Sequence, residues 1–334
     1  MTNKRITGVE IIKNASLDLM RFNKNSFYFG LGVNDPKRIF GTTEGLVEAF
    51  GTARVFETPT SENAMTGVGI GLALSGNTVI MCHQRLDFFL LAFDQIANVA
   101  AKWHYTYGAS SSIPLLVRLI VGRGWGQGPT HSQSLHSVFA HMPGLKVFVP
   151  SMPQYTRSLF ETAFNDPNPV IWIEHRWLHN LSIEADKQLD VPKDGVAQLN
   201  DGSDITIVSL SSQTPLVQKL AVALNTCDIR VDHFSVLKIS PLNLEKIFLS
   251  IKKTGHLLVV DSGHTEFGFG SEVISQCVQA CGDYFRSKPQ NLGKPNFPEP
   301  TSFFLTEDYH ITSKVVAASI GLQIGKDLLS LNPV

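Results

Sequence analysis

The chain has 334 residues, 43% of them hydrophobic, and its 28 Lys and Arg nearly balance 29 Asp and Glu for a formal net charge of −1. That length suits about two globular domains, and the neutral balance, without any Lys/Arg run, argues against nucleic-acid or anionic-membrane partners, which need a basic face. No stretch approaches the ~20 apolar residues of a membrane span, and the opening MTNKRITGVEIIKNASL lacks the apolar core and cleavage site of a signal peptide.

In chain order, a helical window over Gly8–Arg21 leads to a candidate strand at Ser26–Gly30. Further strands are predicted at Thr78–Cys82, Pro114–Ile120, Leu145–Val149 and Pro169–Ile173. Helical windows lie at Ala64–Leu74, Phe89–Tyr105 and Gln154–Asn165. Short Val/Ile/Leu-rich runs separated by helices of about 10–15 residues are the pattern of parallel βαβ units. The fold class is therefore α/β, a mostly parallel sheet flanked by helices.

The pattern breaks at Ser182–Asp204, which is polar and turn-rich, and a second α/β series follows. Its strands are Ile205–Leu210, IRVDHFSV and His256–Asp261. Its helices are Pro215–Leu224, Asn243–Lys253 and Ser271–Ala280. SKPQNLGKPNFPEPTS reads as a Pro-rich loop, and Tyr309–Leu329 holds a last helix. Two domains of this class are expected, residues 1–185 and 204–334, with a linker over 186–203. Cys82, Cys227, Cys277 and Cys281 form no CxxC. Cys277 and Cys281, one helical turn apart, suit a buried helix face, and the expected compartment is reducing and cytoplasmic.

Three segments are candidates for chemistry. GRGWGQGPTHSQS (Gly122–Ser134) alternates glycines, so it is not the G-x-G-x-x-G of a dinucleotide site, and the chain has no Walker motif. A phosphate cradle, a hinge and a substrate-channel wall all remain open. Four glycines in seven residues are costly to order, so the loop is expected beside something that needs close backbone approach or movement. His131 follows it; a lone histidine is commonly structural or solvated, but one beside such a loop is a site candidate. In ETPTSENAMTGVGIGLALSG, Glu62 opens a small-residue helix. It either supports the helix dipole or stands at the strand-to-helix edge where α/β sheets hold ligands. Asp87 and Phe88 begin the third segment, whose Ala92, Gln95, Ile96, Val99 and Ala100 recur at the spacing of a buried helix face. His131, His136 and His141 are five apart and share no helical face, so they predict no metal site.

These segments, taken in order, carry a resemblance that runs almost end to end. FGTTEGLVEAFGTARVFETPTSE, GVGIGLALSG, DFFLLAFDQIANVAAKWHY, PLLVRLIVGRGWGQGPTHSQS, FAHMPGLKVFVPSMP, NDPNPVIWIE, LKISPLN and TGHLLVVDSGHTEFGFGSEV follow in family order and spacing. The chain resembles the β subunits of thiamine-diphosphate-dependent 2-oxo acid dehydrogenases, of pyruvate, branched-chain and acetoin types, within the transketolase-like group. The resemblance implies a pyrimidine-binding domain followed by a transketolase C-terminal-like domain. It implies thiamine diphosphate as cofactor, with its diphosphate and magnesium bound mainly by an α-type partner in an α2β2 assembly. Glu62 matches the glutamate that hydrogen-bonds the aminopyrimidine ring nitrogen and so controls its tautomer. Phe88 matches the aromatic that stacks on the pyrimidine. His131 matches the histidine beside the thiazolium that assists acyl transfer to a lipoyl group, and the glycines let its loop wrap the substrate channel. Asp166 and Asn168 match a segment that binds a structural potassium ion in some members.

The implied activity is decarboxylation of a 2-oxo acid, with acyl transfer to the lipoyl group of an acyltransferase. Two departures qualify it. FGLGV places Leu31 where the family carries an acid that helps to link paired active sites. CHQRLDF places Cys82 where glutamate is frequent and Arg85 where an apolar residue is common. A non-oxidative carboligase and a non-catalytic regulatory subunit are the alternatives; retention of Glu62 argues against the latter.

Overall fold

The structure, a computed structural model, describes residues 4–124 and 128–328. In chain order the elements are β1 (Arg5–Thr7), α1 (Gly8–Phe22), β2 (Ser26–Gly30), α2 (Leu46–Phe50), β3 (Val55–Glu57), α3 (Glu62–Leu74), β4 (Thr78–His83), α4 (Leu86–Phe89), α5 (Ala101–Thr106) and β5 (Leu115–Val121). Then come α6 (His136–Ala140), β6 (Lys146–Phe148), α7 (Pro153–Phe164), β7 (Val170–His175), β8 (Ser182–Glu184), β9 (Val196–Asn200) and β10 (Ile205–Ser209). The last are α8 (Gln213–Asn225), β11 (Val231–Val236), β12 (Lys238–Ser240), α9 (Glu245–Thr254), β13 (Leu257–His264), α10 (Phe269–Cys281), β14 (Gln290–Lys294), α11 (Phe303–Thr306) and α12 (Ser313–Ile324). The chain forms two compact units, residues 1–123 with 138–190, and residues 124–137 with 191–334.

In the first unit six strands run parallel in the order β6-β7-β5-β4-β2-β3. Every residue of β5 and β7 is buried, which is why both read as nearly unbroken apolar runs rather than alternating ones. α1 starts on a capping box: the Thr7 side chain accepts from the Glu10 N–H, and the Glu10 carboxylate accepts from the Thr7 N–H at 2.8 Å. The burial of Ile11, Ile12, Ala15 and Met20 gives α1 its inner face. Gly69 of α3 explains part of that helix's small-residue run. A Cβ there would lie 3.4 Å from Phe29 and 3.5 Å from Leu115, so the helix sits close on the sheet. β1 and β8 form a separate antiparallel pair.

The second unit holds a five-stranded sheet, β14-β13-β10-β11-β9, parallel except for β9 on the edge. Its core joins Ile205, Ile207, Leu258 and Val260 of the sheet to Val217, Leu220 and Leu224 of α8 and Val316 and Ile320 of α12.

Three expectations change. The helix expected over Phe89–Tyr105 is broken into a 3-10 turn (Leu90–Ala92), a π-helix (Gln95–Ala100) and α5. Such π segments are frequent where a helix is bent to serve a site. The linker expected over 186–203 contains β9, because Val196 and Ala197 are buried and VAQLN completes the edge of β11 in antiparallel register. The Pro-rich loop contains β14, whose Gln290–Leu292 pair with Leu258–Val260. QNLGK has no β-branched residue, so this strand is made by its neighbour's unpaired backbone edge rather than by propensity.

Candidate functional site

In the first unit β2 lies between β3 and β4. Three segments leave the carboxyl ends of these strands: Leu31 and its loop after β2, Glu62 and α3 after β3, and Phe88 on α4 after β4. This is the edge at which open parallel α/β sheets bind ligands.

Glu62 is the first residue of α3 and only 5% exposed. Its carbonyl accepts from Thr66 Oγ1 at 2.7 Å. Among the described residues its carboxylate has no hydrogen-bond or ion-pair partner. A carboxylate on so buried a residue gains from a donor, so the geometry suits a ligand group that supplies one. The adjacent phenylalanines divide their work. Phe89 is fully buried, its ring 4.7 Å from His83 and 5.9 Å from Phe139, whereas Phe88 is 41% exposed and presents an aromatic face. A buried acid with acceptor capacity to spare and an exposed aromatic at one sheet edge fit an aminopyrimidine ring.

Leu31 is half-buried, and its N–H donates to the Cys82 carbonyl at 3.1 Å. The following turn is held by Glu57, whose carboxylate accepts the N–H groups of Gly32 and Asn34. An acid therefore does reach this turn, from β3 rather than from position 31. Arg85 is the N-cap residue of α4, and partial burial lowers its pKa against the opposing pull of Asp87. Behind the edge, Arg38, Ile39 and Phe40 all adopt positive φ (+47°, +46° and +57°). That conformation costs about 1–2 kcal/mol per residue. The turn is held by the buried Ile39 and by the Arg176 guanidinium, 4.5 Å over the Phe40 ring.

Sequence reasoning missed a buried polar network. Arg118, on β5, pairs with Glu174 on β7 and donates to the Tyr28 hydroxyl and, at 3.3 Å, to Thr42 Oγ1. Glu174 also accepts from the Trp172 indole and faces His179 Nε2 at 3.0 Å. Burial would raise the pKa of Glu174, but Arg118 and then His179 hold it down at about 2. Burial pushes the Cys82 thiol up to about 12, so Cys82 is neutral beside this network. The available signal was Arg118 itself, a charge within the apolar run PLLVRLIV, which only a buried partner makes tolerable.

His131 falls in the second unit, and Glu62 and Phe88 in the first. It is half-buried; its N–H donates to the Gly128 carbonyl at 3.3 Å, and its Nδ1 lies 2.9 Å from Thr130 Oγ1. Of the glycine loop, Gly126 lies outside the described residues. Asp166 pairs with the Lys146 ammonium and accepts the Asn168 N–H at 3.0 Å. Among the described residues no group of three or more His, Cys, Asp or Glu could hold a metal. None of their helices is long and apolar enough to cross a membrane.

Two family models match: "Transketolase, pyrimidine binding domain" over residues 25–180 and "Transketolase, C-terminal domain" over residues 194–316. The fold agrees. A solved "Split gene transketolase, inactive beta4 tetramer" superposes with a TM-score of 0.76 at 18% identity, covering 96% of this chain and 98% of that one. The class is thus a two-domain, transketolase-like protein of the thiamine-diphosphate type.

Among curated relatives, the "Pyruvate dehydrogenase E1 component subunit beta" of Rhizobium meliloti is 32% identical over 88% of this chain, which spans 65% of that protein's length. The "Acetoin:2,6-dichlorophenolindophenol oxidoreductase subunit beta" of Cupriavidus necator is 32% identical over 84% of this chain and 83% of its own. The chain belongs to the family of β subunits of thiamine-diphosphate-dependent 2-oxo acid dehydrogenases.

Proposed function

We propose that this chain is the pyrimidine-side half of a two-subunit enzyme that decarboxylates a 2-oxo acid and passes the acyl group to a lipoyl acyltransferase. An α-type partner completes the active site in an α2β2 assembly and supplies most ligands for the diphosphate and magnesium. The observation that carries this reading is the buried Glu62 carboxylate, with no partner among the described residues, at the carboxyl edge of the first sheet. When bound, thiamine diphosphate supplies the carbanion chemistry. Glu62 holds a proton at the pyrimidine ring nitrogen, and Phe88 gives the ring a face to stack on. His131, on its strap of the second unit, serves acyl transfer as an acid or base. The two domains divide near residues 185–204, with the strap around His131 assigned to the second. Asp166, which pairs with the Lys146 ammonium, and Asn168 form the segment that would hold a structural potassium ion. All four cysteines are free, which suits a reducing cytoplasm.

The test is hydrogen–deuterium exchange at the cofactor C2 in the complex co-expressed with its α-type partner. Glu62→Gln is expected to assemble normally and to slow exchange by roughly 100-fold. Unchanged exchange would remove Glu62 from the mechanism.

A further inference from the structure

The strap bearing His131 is fastened to its own unit at three points. At Gly128 (φ +62°) a Cβ would stand 2.2 Å from Thr301 Oγ1, so the strap enters in direct contact with Thr301. At Ser132 the main-chain carbonyl accepts a hydrogen bond from Lys294 Nζ at 2.8 Å. At His136 the buried ring packs against Gly263 and Asp261, its Nε2 3.0 Å from Asp261 Oδ1 but outside hydrogen-bond geometry. His136 and Asp261 are both fully buried, and Asp261 Oδ1 accepts the Gly263 N–H at 2.9 Å. There is no slack between strap and sheet here. A Cβ on Gly263 would lie 2.8 Å from His136 Cε1 and 3.2 Å from the Ser134 carbonyl.

The Lys294 anchor is the more telling one. Lys294 ends β14 and is buried, 8% exposed. Its ammonium pairs with Glu299 Oε2 at 3.0 Å, and Glu299 Oε1 faces His310 Nε2 at 3.2 Å. A buried ammonium is tolerated only when it is neutralised and hydrogen-bonded. Here Glu299 neutralises it and a main-chain carbonyl receives its donor, a charge-assisted bond stronger than a neutral one. That carbonyl belongs to the residue immediately after His131.

We propose that Lys294 and the His136–Asp261 pair are positioning residues for His131. Lys294 acts through the Ser132 carbonyl and fixes the main chain beside His131, while His136 on Asp261 fixes the far end of the strap. The proposal rests on the reading of His131 as the transfer residue. Displacement of a reacting group by about 1 Å can cost up to 10²-fold in rate, so loosening either anchor should affect transfer and spare decarboxylation.

The test uses the complex with its α-type partner and two variants. Lys294→Met with Glu299→Gln removes the ammonium without stranding a buried carboxylate. His136→Leu removes the ring contact with Asp261 and leaves Asp261 Oδ1 to accept the Gly263 N–H. The first readout needs no turnover: the carbethoxylation rate of His131 by diethyl pyrocarbonate, followed by peptide mass spectrometry. The exposed His104 serves as reference, and the buried His83 and His233 report global unfolding. Each variant is expected to raise His131 labelling by roughly 5- to 10-fold with His104, His83 and His233 unchanged. The second readout is acyl transfer to lipoamide relative to dichlorophenolindophenol reduction. It uses whichever of pyruvate, 2-oxobutyrate and the branched-chain 2-oxo acids is reduced fastest, with His131→Ala alongside. Transfer should fall roughly 10-fold with less than a 2-fold change in dye reduction. Wild-type His131 labelling in both folded variants overturns the anchoring. Raised labelling with transfer left intact in His131→Ala overturns the reading of His131 itself, and with it the positioning role.

Discussion

His83 ends β4 with its imidazole 1% exposed, against Phe89, and neither ring nitrogen has a hydrogen-bond partner among the described residues. Burial pushes its pKa down to about 3, against about 6.5 for a solvated histidine. Between these values the unfolded chain binds a proton that the folded chain refuses. Stability therefore falls as pH drops from about 6.5 toward 3, by about 1.4 kcal/mol per pH unit. Integrated from pH 7 to pH 5, this one residue costs about 2 kcal/mol. His83→Leu, of similar volume, removes the proton linkage and the two unpartnered nitrogens together. It is expected to stabilise the first unit by about 1–3 kcal/mol at pH 7 and by about 2 kcal/mol more at pH 5. Urea unfolding followed by tryptophan fluorescence measures this directly, because Trp103, Trp172 and Trp177 lie in that unit. A gap between variant and wild type that is the same at both pH values would refute the reasoning, because His83 would then titrate alike folded and unfolded.

Two further outcomes follow from single sites. Arg118→Met strands the Glu174 carboxylate in the core and is expected to destabilise by about 3–5 kcal/mol. Adding Glu174→Gln should recover part of that loss in the same urea assay. Because Arg118 and His179 hold Glu174 at about 2, its contribution in the wild type is present above about 4.5 and is lost as pH falls from there toward 2. Gly144→Ala meets both a φ of +100° and the Ala101 carbonyl oxygen 1.8 Å from the new Cβ. It should lower stability by roughly 1–3 kcal/mol or more, read as a lower urea midpoint.

Much of the fold was legible because apolar runs buried on both faces keep their period whatever surrounds them. Ser26–Gly30 is β2 residue for residue, and Gly8–Arg21 is α1 to within one residue. The Thr7–Glu10 capping box is written in the sequence as well, since its partners are three residues apart. Glu62 could be picked out from a strand-to-helix junction, but its burial without a partner among the described residues could not, because that depends on what the rest of the sheet edge leaves unfilled. Phe88 and Phe89 are chemically identical, and only packing against His83 and Phe139 decides which is anchor and which is face. β9 and β14 exist because neighbouring strands offered them an edge. Tertiary structure alone decided the pairings that span long stretches of chain: Arg118 with Glu174, Lys294 with Ser132, and His136 with Asp261. A sequence shows a charge placed in an apolar run. It does not show which distant group makes that charge tolerable, because the energy that selects the partner arises only once water has been excluded from both.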